Sequence, residues 1–176
     1  MSPCAGTRGL PRYRGGCHDR RVSIFETITG LPLHPLVIHA VVLLVPLLAL
    51  AGFAYVLVPR LRGRIGWLSV LLALAAPAVT LVAKISGDAF RRRIVRKHLA
   101  NPAILVKIDS HRSLGTITLY LTIALAIVVL LLVLLRTLPR AGSVVLGVIT
   151  IGLGLVTLYY VYRTGDAGAR IVWTGY

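Results

Sequence analysis

The stretch HPLVIHAVVLLVPLLALAGFAYVLVPR, residues 34–60, decides how this chain is read. From Leu36 to Val58 it carries no charge, and about 20 apolar residues are enough to cross the hydrocarbon core of a bilayer. Pro35 suits a first helical position, where its missing N–H would have no intrahelical partner, and Pro59-Arg60 closes the run. Three further runs repeat the pattern. With tight basic turns between them they predict helices over about 35–58, 65–86, 102–135 and 141–163. The expected architecture is all-α, a four-helix transmembrane bundle of two hairpins with neighbouring helices antiparallel.

Composition agrees. The 176 residues are 57% hydrophobic with a mean hydropathy of +0.85, too apolar for a soluble domain of this length. The net charge of +15 comes from 20 Lys+Arg against 5 Asp+Glu, and the basic residues lie between the apolar runs. They therefore read as a topology signal and as attraction to anionic lipid headgroups, not as a nucleic-acid surface. One face, holding the loop after helix two and the C-terminus, carries ten: Lys84, Arg91, Arg92, Arg93, Arg96, Lys97, Lys107, Arg112, Arg163 and Arg170. The other carries five: Arg60, Arg62, Arg64, Arg136 and Arg140. The excess places both termini in the cytoplasm of a bacterial inner membrane. Residues 1–29 read as a disordered basic tail, with Val22 a plausible true start. Its Cys4 and Cys17 form neither a disulfide framework nor a metal pair. Residues 30–176 form the transmembrane domain.

The chemistry-bearing residues gather on that first face. Asp88 and Asp166 each sit in a Gly-Asp-Ala triplet just past an apolar run, and His34, His39 and His111 stand at the opposite ends of the preceding hairpins. His34 to His111 spans 77 positions and Asp88 to Asp166 spans 78, which suggests a duplicated hairpin with a pseudo-twofold axis along the membrane normal. Ionisable groups at a membrane boundary are costly and mark functional sites by default. Each also has a local structural reading. Asp88 at a helix C-terminus needs a cation, which Lys84 can supply one turn back. Asp166 can form a turn between Gly165 and Gly168. Asp109 can cap helix three.

Three chemistries fit the set. A b-type haem needs two axial imidazoles on facing helices, here His39 and His111, with His34 a substitute for His39 and Asp88 and Asp166 tuning the site. A divalent metal would take two or three imidazoles plus an aspartate. A proton or quinone site would use His–Asp pairs. The leading expectation is a small redox-associated subunit binding haem b or quinone, in a larger complex or homo-oligomer. The alternatives are a proton, ion or small-molecule pathway working through Asp88 and Asp166, or a structural subunit packing through the glycines of helix four. No hydrolase elbow, phosphate loop or zinc motif occurs, and no stand-alone catalytic activity is expected.

Leu33-His34-Pro35-Leu36-Val37-Ile38-His39 resembles the opening signature, His-Pro-x-x-x-His, of a bacterial membrane family known as domain of unknown function 2231. The resemblance continues through Gly87-Asp88, His111-Arg112-Ser113-Leu114-Gly115, and Gly165-Asp166-Ala167-Gly168-Ala169 followed by Val172-Trp173. It covers about residues 30–173. It implies a four-helix integral membrane protein without an established activity. Similar sequences often carry His where this chain has Asp166, which leaves His34, His39 and His111 as the ligand candidates.

Overall fold

A computed structural model describes residues 27–28, 31–135 and 139–173. The expected N-terminal tail lies outside the described residues apart from Thr27–Ile28, which pairs antiparallel with Leu31–Pro32. Four helices follow: α1 Leu33–Leu57, α2 Arg62–Arg96, α3 Pro102–Leu134 and α4 Arg140–Trp173, with a 3-10 turn at Pro59–Leu61. Each is long and apolar enough to cross a membrane, with peak mean hydropathies from 2.2 to 3.0. The helices form a closed ring in chain order, α4 returning beside α1, while α1 and α3 barely meet across it.

The core is a column of side chains chiefly from three helices, with Val161 of α4 joining it. Val45 and Leu48 of α1, Ala73 and Ala76 of α2, and Leu125 and Val129 of α3 are buried. The buried residues of α4 are mostly small: Gly147, Thr150, Gly154 and Thr157. Between apolar helices in lipid there is little hydrophobic driving force, so close approach and dispersion must hold the pair together. A Cβ on Gly154 would lie 2.5 Å from the Phe53 ring, and one on Gly147 would lie 3.1 Å from Val56. The buried hydroxyls return to their own helices, as in Thr80 to Ala76 O at 2.7 Å and Thr157 to Leu153 O at 2.7 Å. Among the described residues no buried side-chain polar atom lacks a partner, as a low-dielectric interior requires.

Two helix ends differ from the sequence expectation. Neither Gly87-Asp88 nor Gly165-Asp166 terminates its helix: α2 continues to Arg96 and α4 to Trp173. These glycines are not stop signals, and the turn expected around Asp166 is helix. α2 stops instead at a Schellman-type cap. His98 takes a left-handed φ of 50°, its N–H reaches Val95 O at 3.2 Å, and the Leu99 N–H reaches Ile94 O at 3.1 Å. Asn101 then caps α3, accepting from the Ile104 N–H at 2.9 Å. Asp109, expected as a possible cap, lies inside α3.

The α1–α4 contact sets one prediction. Gly154→Ala should destabilise the folded protein by about 1–2 kcal/mol, because overpacking against an aromatic ring outweighs the gain in helix propensity. Phe53→Leu should recover much of the loss. Gly152→Ala, where a Cβ would meet nothing, should leave the thermal midpoint in detergent unchanged or slightly raised.

Candidate functional site

A cavity of about 850 Å³ opens at the end of the bundle where α1 and α3 begin and α2 and α4 finish. All four helices line it. Its walls are chiefly aliphatic, with Ile38, Ile104, Ile108 and Val161 among them, and a cluster of charges borders it. The volume falls within the roughly 300–1,000 Å³ usual for small-molecule and cofactor sites.

His34 and His111 enter the cavity in equivalent ways. His34 Nδ1–H donates to Ala83 O at 3.1 Å, with Ser86 Oγ at 3.2 Å. His111 Nδ1–H donates to Thr164 O at 3.0 Å. A carbonyl only accepts, so in each neutral ring the proton sits on Nδ1 and Nε2 keeps its lone pair. One turn beyond each carbonyl stands a glycine against which the ring edge lies. A Cβ on Gly87 would approach His34 Cε1 to 2.8 Å, and one on Gly168 would approach His111 Cε1 to 3.1 Å. Phe90 stacks over His34 with centroids 6.4 Å apart. His34 precedes the spanning stretch Val37–Leu57. Burial pushes its imidazole below the ordinary range, so it is neutral at pH 7.

This pairing gives the internal repeat its register. Ala83 and Thr164, like Gly87 and Gly168, are 81 positions apart. The two Gly-Asp-Ala triplets, 78 apart, are therefore not equivalent corners. The slip of three residues rotates one aspartate by roughly 60° relative to the other. By the histidine register Asp88 corresponds to Ala169, and Asp166 to Ile85, which is 40% exposed.

The rotation separates their fates. Asp88 lines the cavity, held by Lys84 at 2.9 Å and by Arg112 Nη2 at 2.7 Å. Arg112 also reaches Asp109 at 3.3 Å, and Asp109 takes a two-pronged contact from Arg91 at 2.5 and 2.7 Å. Lys84, Asp88, Arg112, Asp109 and Arg91 thus form one chain of ion pairs that fastens α2 to α3. Asp166 is absent from the cavity lining and pairs with Arg170 on the outer side of α4 at 2.8 Å. His39 lies at the exposed edge of the cavity. Among the described residues no group of three or more His, Cys, Asp or Glu side chains assembles into a metal-ion site.

Sequence reasoning missed Arg112 as the centre of the charge chain, and it missed the glycines as cradles for the rings. Arg112 stands next to His111, and basic residues in an apolar chain need partners, so Asp88 and Asp109 were legible as its mates once α2 and α3 were placed side by side.

The chain belongs to the family described as predicted membrane protein DUF2231, whose model matches residues 30–175. No curated protein and no solved structure matches it. Membership and the four spans make it an integral membrane protein in contact with lipid.

The two aspartates should behave differently on neutralisation. Asp88→Asn leaves Arg112 and Lys84 without their shared carboxylate and should cost about 1–2 kcal/mol, between the values for exposed and for buried pairs. Asp166→Asn should leave the thermal midpoint unchanged. Equal losses for the two variants would contradict the register derived from the histidines.

Proposed function

We propose that this protein is a small redox-associated membrane subunit that holds a b-type haem between His34 and His111. The observation that carries the reading is the matched pair of imidazoles: each Nδ1–H is fixed on a backbone carbonyl and each Nε2 keeps its lone pair beside one apolar cavity. A histidine ligand to a metal almost always has its other nitrogen anchored in this way, which fixes tautomer and ring orientation. The two glycines admit the rings where any side chain would push them out. A bis-histidine haem takes two axial imidazoles, not a cluster of three ligands, and His34 and His111 are a donor set of that kind. Bound haem would supply one-electron transfer. The chain's own part is to hold the rings, exclude water with Ile38, Ile104, Ile108 and Phe90, and place Arg112 and Lys84 near any acidic substituent.

The axial role expected of His39 passes in this reading to His34, because His34 is anchored on Ala83 O and cradled by Gly87 as His111 is by Thr164 O and Gly168, whereas His39 sits at the exposed edge of the cavity. Quinone draws less support from the same geometry. A quinone oxygen accepts hydrogen bonds, whereas a neutral His34 with its Nδ1–H engaged offers an acceptor. A proton or ion pathway through both aspartates draws least, since Asp166 lies outside the cavity and Asp88 is neutralised by two cations. The basic residues support a bacterial cytoplasmic membrane with both termini inside, near anionic lipid, and a redox subunit of this size would pass its electron to a partner in a larger complex.

A reduced-minus-oxidised visible spectrum of the protein purified from haem-replete cells tests this. Haem b bands are expected in the wild type and in His39→Ala, and should be lost in His34→Ala and in His111→Ala. A bandless wild-type spectrum sinks the proposal, and so do bands that survive both cavity substitutions.

A further inference from the structure

The two sides of the cavity are built differently. On the α2–α3 side, the chain from Lys84 through Asp88, Arg112 and Asp109 to Arg91 fastens the helices together. The pseudo-twofold axis carries that seam onto the α4–α1 seam, and there Ala169 stands in place of Asp88 and Pro35 in place of Arg112. No ion pair is possible between such residues. Packing changes along the same seam. At the far end α1 and α4 touch through Phe53 on Gly154 and Val56 on Gly147. At the cavity end a Cβ on Gly165 would meet nothing within 4 Å, and Val42 and Val172, both lining the cavity, are 50% and 60% exposed.

Depth adds a second argument. α2 runs 35 residues, α3 33 and α4 34, or roughly 50 Å each, against a hydrocarbon core of about 30 Å. α1 is shorter, 25 residues, and begins at Leu33, immediately before His34. Beyond the histidines α2 continues to Arg96, α3 extends back to Pro102 and α4 runs on to Trp173. Among the described residues, three helices therefore rise past the histidines at the level where acyl chains give way to headgroups, whereas on the fourth side α1 is preceded by the short Thr27–Ile28 and Leu31–Pro32 pair instead of further helical turns.

We infer that the cavity loads sideways from the bilayer, through the gap between α1 and α4 beside Gly165, and that its occupant is a membrane-dissolved amphiphile. The apolar part passes Val42, on the membrane side of His34, and rests on Ile38 and Ile108. The polar end stops at the headgroup-level charges of Arg112 and Lys84. The chain of ion pairs keeps the opposite seam shut, so lateral entry is directed to the α1–α4 side. The amphiphile class rests on the haem reading only in that haem is one member of it. An acyl lipid is another, and the portal serves both.

The test uses the full chain in phosphatidylcholine vesicles carrying a diazirine on the acyl chain, followed by photolysis and mapping of adducts. Adducts are expected on the cavity residues Ile38 and Ile108 as well as on the outward-facing Val148. In Gly165→Phe, which fills open space and leaves the buried core untouched, the cavity adducts should be lost and those on Val148 retained. Adducts confined to outward-facing residues in the wild type overturn the inference, as do cavity adducts that Gly165→Phe leaves unchanged. A parallel arm supplies hemin from the same vesicles to haem-free protein. If cavity adducts form but no Soret shift appears, the haem reading fails and the lateral portal stands. If hemin loads at the same rate in wild type and Gly165→Phe, the portal fails and the haem reading stands.

Discussion

An imidazole pressed against a helix backbone is the constraint on which the functional end of this protein depends. A ring can donate to the carbonyl of a neighbouring helix only if nothing projects from that helix one turn further on. Gly87 and Gly168 meet this condition for His34 and His111. Each hydrogen bond crosses between the two helices of one hairpin, with sequence separations of 49 and 53, so it fixes the relative sliding of α1 on α2 and of α3 on α4. In a low-dielectric setting such a bond is costly to leave unmade. Sliding either pair by one residue would both orphan the carbonyl contact and bring a side chain into the ring.

From that constraint the repeat acquires a physical meaning. Two hairpins obey the same rule at one end of the bundle, and a closed ring of four helices brings both rings to one cavity. Charge then breaks the symmetry. Asp88 and Arg112 occupy positions whose counterparts, Ala169 and Pro35, cannot ionise, so the ion pair that fastens one seam between the hairpins has no equivalent at the matching place on the other. The far end shows what packing alone achieves there: α4 lies close to α1 because Gly147 and Gly154 let it.

The number of helices, their order and their membrane character are legible in the sequence because a run of about twenty apolar residues suits a bilayer crossing and little else. The end of α2 is not. Ser86-Gly87-Asp88 reads as a stop when judged locally, yet the glycine there answers a ring from a helix 53 residues earlier in the chain, a tertiary demand that no local pattern encodes. Asp88 inside the helix is tolerated because Lys84 and Arg112 satisfy it. The first of these is visible at i−4, whereas the second requires knowing that α2 lies beside α3. The convergence of His34, His111 and Asp88 on one end follows from their depth along the apolar runs. Asp166 misleads because two identical triplets suggest identical environments.

Asp166 shows how a repeat should be read. Shared letters align the triplets at 78 positions, whereas shared contacts align the glycines at 81, and only the second alignment predicts which face each aspartate takes. A helix rotates about 100° per residue, so an error of three positions is small along the axis, about 4.5 Å, but amounts to roughly a sixth of a turn around it. Depth in the membrane is therefore the robust inference from sequence, and azimuth the fragile one. The histidines keep both because each is tied to a carbonyl and a glycine on its neighbour. Asp166 keeps only its depth, and with Arg170 beside it the outer surface of α4 accommodates the charge at the headgroup level without calling on the cavity.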